Sequence, residues 1–206
     1  MENPGKHKFK NYLNSVIPPR HRKARMSLID PGIRPLIKES VESLYTKKPK
    51  GLLLMGQVGC GKTSILWVVY KYCFYHRMNG INVPKNHPID SYLNLTFVTH
   101  AELINILRNS SGIGESENIG IPKKLQRRIL LIDDFGCGYD DKAGWNLSLQ
   151  DELFDYRWKR CLSTFISTNL TPSKLRKWPG WERIVDRIAD PNWMTHIVVP
   201  GGSRRK

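Results

Sequence analysis

Apolar positions along this chain follow two rhythms. Short, mostly apolar runs recur: GLLLMG from Gly51, LTFVT from Leu95, RILLID from Arg128, LSTFIST from Leu162 and THIVVP from Thr195. Runs of this length bounded by breakers or charges read as strands buried on both faces. Between them the apolar residues recur at three- and four-residue intervals, the period of an amphipathic helix. Ile33, Leu36, Ile37, Val41 and Leu44 mark one such stretch between Ser27 and Tyr45. Others run from about Lys62 to Met78, through AELINILRNS and through LSLQDELFDYRWKR, with two short helical pieces before the last strand. MNGINVPKNHPIDSY and NSSGIGESENIGIPKK carry the breakers of loops. Strands alternating with helices predict an α/β fold: a five-stranded parallel sheet between two helical layers, a three-layer α/β/α sandwich. Residues 1–26 are basic and end in IPPRHRKAR; they predict an irregular arm ahead of a domain over 27–206.

The densest chemistry lies where the first strand meets the next helix. GQVGCGKT, Gly56 to Thr63, fits the spacing G-x-x-x-x-G-K-[ST]. Gly56, Gly59 and Gly61 let the loop curl, so that its backbone N–H groups, Cys60 among them, converge on a phosphate. Lys62 carries a point charge to the outer phosphates and Thr63 offers a hydroxyl to Mg²⁺. The helix opening with Lys62, Thr63 and Ser64 adds its positive dipole end. The expected ligand is a nucleoside triphosphate with Mg²⁺.

The third strand ends in two adjacent acids, Asp133 and Asp134, at the sheet edge where doubly wound folds bind ligands. Asp133 is placed to hold Mg²⁺, and Asp134 to orient and deprotonate an attacking water. Asn169, just past the fourth strand, projects from the same edge and suits a hydrogen bond to the γ-phosphate or the water. WERIVDRIADP then sets Arg183 and Arg187 four residues apart on one face of a short helix. Like charges at that spacing repel, so the pair needs an anion. An Arg183–Asp186 ion pair is the plain alternative.

Charge changes the picture of partners. Lys and Arg number 33 against 18 Asp and Glu, for a net charge of +15, which suits a polyanion such as nucleic acid. The cysteines at 60, 73, 137 and 161 form no C-x-x-C pair, which fits reduced thiols rather than a zinc site. No apolar run has the length of a membrane span, and MENPGKHKFK lacks the apolar segment of a secretory signal. The expectation is a cytoplasmic protein without a membrane partner.

GQVGCGKT, ILLIDDFG, STNL, WERIVDRI and a closing GGSRR, in that order, resemble the AAA+ ATPases of the DnaC/IstB type, the helicase loaders and transposition accessory ATPases. VIPPRHRKARMSLID is similar to that family's lead-in, and LTFVTHAELINILR to its second strand and helix. The resemblance spans roughly residues 16–206 and implies an AAA+ core with little or no C-terminal lid, of bacterial, phage or mobile-element origin. It implies ATP as the nucleotide, Asp133 and Asp134 as the Mg²⁺ and catalytic acids, and Asn169 as first sensor. It further implies Arg187 as arginine finger, with Arg183 a second candidate, and Arg205 as terminal sensor, Arg204 standing where an aromatic is usual. A finger acts on a neighbour's nucleotide, so self-association into ATP-dependent oligomers follows. Only a short segment precedes the core here, where helicase loaders carry a partner-binding domain.

The resemblance also implies single-stranded DNA binding near residues 100–127, where Lys123, Lys124, Arg127 and Arg128 cluster. Contacts to phosphate there are salt-dependent and largely indifferent to sequence. The resulting expectation is an ATPase that assembles on single-stranded DNA and loads or regulates a replicative helicase in DNA replication. The alternatives are a transposition accessory ATPase working with a transposase, a nucleotide-bound DNA-binding adaptor with negligible hydrolysis, and a small P-loop kinase.

Overall fold

The computed structural model describes residues 4–44, 46, 48–78, 94–111, 121–136 and 145–202. Five parallel strands form one sheet: β1 (Gly51–Met55), β2 (Leu95–Thr99), β3 (Ile129–Phe135), β4 (Ser163–Thr168) and β5 (Met194–Val198). Their spatial order is β2-β3-β4-β1-β5. Leu53 of β1 aligns with Ile166 of β4 and with His196 of β5.

The helices are α1 (Pro4–Val16), α2 (Arg34–Ser43), α3 (Lys62–Met78), α4 (His100–Ser111), α5 (Trp145–Lys159), α6 (Pro172–Leu175) and α7 (Glu182–Ala189). Alternation along the strands splits the core in two, because successive side chains point to opposite faces. Leu52 and Leu54 join Leu13, Ile37, Val41, Leu66 and Phe74, the layer of α1, α2 and α3. Leu53 and Met55 join Leu103, Leu153, Phe154, Ile184 and Ile188, the layer of α4, α5 and α7. The three-layer expectation holds, and Trp67 is a core residue, stacked on Phe97 at 3.8 Å between ring centroids.

The N-terminal segment departs from expectation. Residues 4–16 form a helix rather than an irregular arm, with Phe9 edge-on to Phe74 at 5.8 Å and Tyr12 stacked on it at 5.4 Å. Leu13 and Ile17 are buried in the same layer. Arg22 closes this helix, donating to the carbonyls of Ile17 (3.1 Å) and Asn14 (2.6 Å). The helix foreseen from Ser27 begins only at Arg34, with Pro35 in its first turn. Ahead of it the Arg34 guanidinium donates to the carbonyls of Ile29 and Ser27 and fixes a tight turn. Leu36 accordingly faces outward, while Ile33, Ile37, Val41 and Leu44 are buried. The two loops read over 78–92 and 109–124 lie largely outside the described residues.

Candidate functional site

The crossover from β1 to the far edge at β2 and back through β3 and β4 makes a switch point at the carboxyl ends of β1, β3 and β4. The loop between β1 and α3 lies there. Gly59 takes φ 83°, in the left-handed region that glycine enters freely. Gly56 is tight as well as left-handed: a Cβ there meets the Val199 carbonyl oxygen at 2.9 Å. Lys62 folds back over this loop, only 5% exposed, and donates to the carbonyls of Gly56 and Gln57 and to Asn169 Oδ1, each at 2.8 Å. The Cys60 thiol lies 3.7 Å from the same ammonium.

Thr63 Oγ1 donates to Asp133 Oδ1 at 3.1 Å, joining the first turn of α3 to the end of β3. Asp133 is buried, and burial pushes its carboxyl above the ordinary range; a hydrogen bond from Ser167 opposes this, and the neighbouring Asp134 charge adds to it. Asp134 is exposed, at φ 54°. A hydroxyl and a carboxylate beside a phosphate loop are hard oxygen donors of the kind Mg²⁺ takes, so the residues present fit that ion. A cleft of about 930 Å³ is lined by Lys62, Thr63, Ser64, Asp134 and Asn169 on the sheet side. Its other wall is the lead-in segment, with Arg20, His21, Lys23 and Arg25. His21 Nδ1 and Ser64 Oγ are 3.1 Å apart, and Arg20 Nε donates to His21 Nε2. Burial, then the charges of Arg20 and Lys71, hold the His21 imidazole below its usual pKa.

The late arginine pair finds its anions within the chain. Arg187 donates to Asp151 Oδ1 and Asp155 Oδ1, both at 2.5 Å. Arg183 reaches Asp151 at 3.3 Å. Two acids four residues apart on α5 thus face two arginines four residues apart on α7, and the like-charge repulsion within each helix is offset across the pair. Arg187 is 11% exposed and Arg183 71%. The residue facing outward is therefore Arg183, not Arg187, and the Arg183–Asp186 pair does not form: Asp186 binds Arg176.

No protein-family description and no curated protein matches the chain. Solved structures do. DnaI is 20% identical, over 92% of this chain and 95% of that one, with a TM-score of 0.59. The DnaC helicase loader is 23% identical, over 87% and 99%, with a TM-score of 0.61. A replication initiator DnaA bound to AMPPCP and single-stranded DNA is 15% identical, over 89% and 52%, with a TM-score of 0.59. The fold is that of the DnaC-type AAA+ ATPases.

Of the site residues read on this AAA+ fold, Gly56, Gly59, Cys60, Gly61, Lys62, Thr63, Ser64, Asp133, Asp134 and Asn169 gather at one end of the sheet. Arg204 and Arg205 lie outside the described residues. The basic cluster is divided. Lys123 and Lys124 are exposed. Arg127 donates to the Leu95 carbonyl (2.8 Å) and Arg128 to the Leu44 carbonyl, so both tie the segment to the fold, while Arg128 stays exposed and Arg127 half-buried.

Two residues escaped the sequence reading. Ser167 donates to Asp133 Oδ1 at 2.5 Å and accepts from the Asp134 N–H at 3.0 Å. Arg157, fully buried, donates to Thr164 Oγ1 and to the carbonyls of Leu125, Arg127 and Ser163. Burial pulls its pKa down to about 9, which leaves it charged at neutral pH. Neither carries a motif: one is a serine in a strand, the other an arginine in a basic helix end. Among the described residues no helix is long and apolar enough to cross a membrane.

Proposed function

We propose that this chain is an Mg²⁺-dependent ATPase that assembles on single-stranded DNA in its ATP-bound form and loads or regulates a replicative helicase. One observation carries the reading. Lys62, Thr63, Asp134 and Asn169, drawn from three separate segments, line one cleft at the switch point of the sheet, and Asp133 is hydrogen-bonded to Thr63 beside it. A DnaA initiator of the same fold binds AMPPCP and single-stranded DNA, which supports the choice of ligands.

The chain's residues divide the work as follows. Loop N–H groups and the start of α3 receive the phosphates. Lys62 exchanges the Gly56 and Gln57 carbonyls for outer phosphate oxygens, while Thr63 and Asp133 hold the cation. When bound, Mg²⁺ supplies charge neutralisation at the β- and γ-phosphates. Asp134, exposed in the cleft, orients the attacking water and takes its proton, and Asn169 hydrogen-bonds the γ-phosphate or that water. Arg183, at 71% exposure, is the arginine presented to a neighbouring copy's triphosphate, with Arg187 holding its helix against α5. Lys123 and Lys124 are the cations offered to DNA phosphates.

The test is mass by light scattering in ATP–Mg²⁺ and in ADP, each with and without single-stranded DNA, alongside phosphate release. The expected result is a larger species only with ATP and DNA, and phosphate release that rises with assembly. A monomer under all four conditions would sink the assembly mechanism; ATP binding without phosphate release would leave an adaptor in its place.

A further inference from the structure

We infer that Ser167 is a positioning residue for the acidic pair, its hydroxyl setting both the carboxylate of Asp133 and the backbone of Asp134; the inference rests on the ATPase reading above. In a regular strand consecutive side chains point to opposite faces, so adjacent acids do not serve one site without a local break in the strand. β3 has that break. Its ladder with β4 runs in register to Ile132 opposite Ile166 and resumes at Phe135 opposite Thr168. Asp133 and Asp134 together therefore stand against one residue, Ser167, the two-against-one arrangement of a β-bulge, a feature that re-aims side chains beside active sites.

The bulge puts Asp134 at φ 54°, in the left-handed region that aspartate enters at less cost than most side chains but at more cost than glycine. The Asp134 N–H is taken by Ser167 Oγ at 3.0 Å. The same hydroxyl donates a hydrogen bond to Asp133 Oδ1 at 2.5 Å, the oxygen that also accepts from Thr63 Oγ1. Ser167 is fully buried, so no water substitutes for it. Next to it Thr168 Oγ1 donates to the Phe135 carbonyl at 2.7 Å and pins the far side of the bulge. One hydroxyl thus orients the carboxylate of Asp133 toward Thr63 and fixes the turn that leaves Asp134 in the cleft. Alanine retains neither hydrogen bond; threonine retains both atoms.

The experiment uses the full chain with ADP and Mn²⁺, the latter followed by its electron paramagnetic resonance signal. ADP affinity is measured separately in EDTA. Outer-shell partners of metal ligands typically contribute 10–100-fold in metal affinity, so Ser167→Ala is expected to weaken Mn²⁺ uptake by the ADP complex by about that factor while ADP affinity in EDTA stays within about twofold. Ser167→Thr is expected to restore Mn²⁺ affinity. A purely structural role would lower ADP and Mn²⁺ binding together, and that result overturns the inference, as does an alanine variant that binds Mn²⁺ like the parent. Should the alanine variant not fold, Ser167→Cys keeps the volume with a poor donor; it is expected to show the same selective Mn²⁺ loss, and parental Mn²⁺ affinity in it overturns the inference. If the parent chain binds neither ADP nor Mn²⁺, the ATPase reading itself fails, an outcome distinct from any difference among the variants.

Discussion

The Lys62 ammonium donates to the side-chain oxygen of Asn169, 107 residues further along the chain, at 2.8 Å. With the Gly56 and Gln57 carbonyls this makes three oxygen acceptors for the three donors of a lysine, the Cys60 sulfur lying further off at 3.7 Å. Phosphate oxygens compete for the same ammonium and gain a charge-assisted bond that the neutral acceptors do not provide.

Lys62→Ala is therefore expected to weaken ATP binding on the order of 100-fold, about 2.7 kcal/mol, in a titration with a fluorescent ATP analogue. Asn169→Ala acts differently, because the amide meets the lysine without carrying its charge. It is expected to leave binding within a few-fold and to slow phosphate release on the order of 10- to 100-fold. Equal losses of binding in the two variants would show that the amide matters only through the lysine.

The α5–α7 ladder separates the two late arginines by consequence. Arg187→Ala leaves Asp151 with Arg183 alone and Asp155 with Lys159 alone, both acids being about one-fifth exposed. The expected destabilisation is about 2–3 kcal/mol, below the 3–5 kcal/mol of a fully buried pair. Arg183→Ala removes an exposed contact and is expected to change stability by less than about 1 kcal/mol. Urea unfolding of both variants checks the ranking. In the assembled protein Arg183→Ala is expected to suppress ATP turnover while the chain still binds ATP; normal turnover would remove Arg183 from the neighbour's site.

These cases mark what the sequence makes legible. The strands were readable because burial on both faces produces an unbroken apolar run, as in Gly51–Met55 and residues 129–132 of β3. The loop from Gly56 to Thr63 was readable because its glycine, lysine and threonine spacing is local. α1 was obscured by its charge: Phe9, Tyr12, Leu13, Val16 and Ile17 keep helical spacing, and Pro4 begins the helix instead of breaking it. The arginine pair was visible but its partners, 32 and 36 residues earlier on another helix, were not. Arg127 and Arg128 read as surface charge, and their second task, bonds to the carbonyls of Leu95 and Leu44, depends on partners 32 and 84 residues away. Ser167 depends on a register shift between two strands, which no single segment encodes.

The strain at Asp134 has a measurable side. A non-glycine residue at φ 54° carries a cost that glycine avoids. Asp134→Gly is expected to stabilise the fold by about 0.5–1 kcal/mol, raising Tm by about 2–3 °C, and to abolish phosphate release. Calorimetry and a phosphate assay on one preparation test both halves, and a fall in Tm would mean that the Asp134 side chain contributes more than its backbone costs.

Two buried histidines tie stability to pH. Burial holds His100 below its ordinary pKa, its hydrogen bond to Gln150 acting the other way, and burial also lowers His21. The unfolded chain takes up protons near pH 6.5, whereas the folded chain resists them. Stability from this source is complete above about pH 6.5 and falls as pH drops below it, by up to about 1.4 kcal/mol per unit for each histidine. Asp133, pushed up by burial, works in the opposite sense. Comparing His100→Gln with the parent isolates the histidine: urea midpoints at pH 7.5, 6.5 and 5.5 are expected to fall less steeply in the variant. Parallel slopes would mean that His100 does not resist protonation in the fold.

Arg157 joins stability to the proposed DNA surface. Its guanidinium holds the carbonyls of Leu125 and Arg127, immediately after Lys123 and Lys124, and anchors that turn to Ser163 and Thr164 at the start of β4. A lysine here keeps the charge but loses the planar fork, and leaves several buried acceptors unmet. Arg157→Lys is expected to cost about 3–5 kcal/mol of stability. Lys123→Ala with Lys124→Ala is expected to leave stability within about 0.5 kcal/mol, and to weaken single-stranded DNA binding with a salt dependence shallower by up to about two ions. Fluorescence anisotropy across a salt series makes the distinction. An unchanged salt slope in the double-lysine variant would move the DNA contact away from this turn and leave Arg157 a purely structural part of the fold.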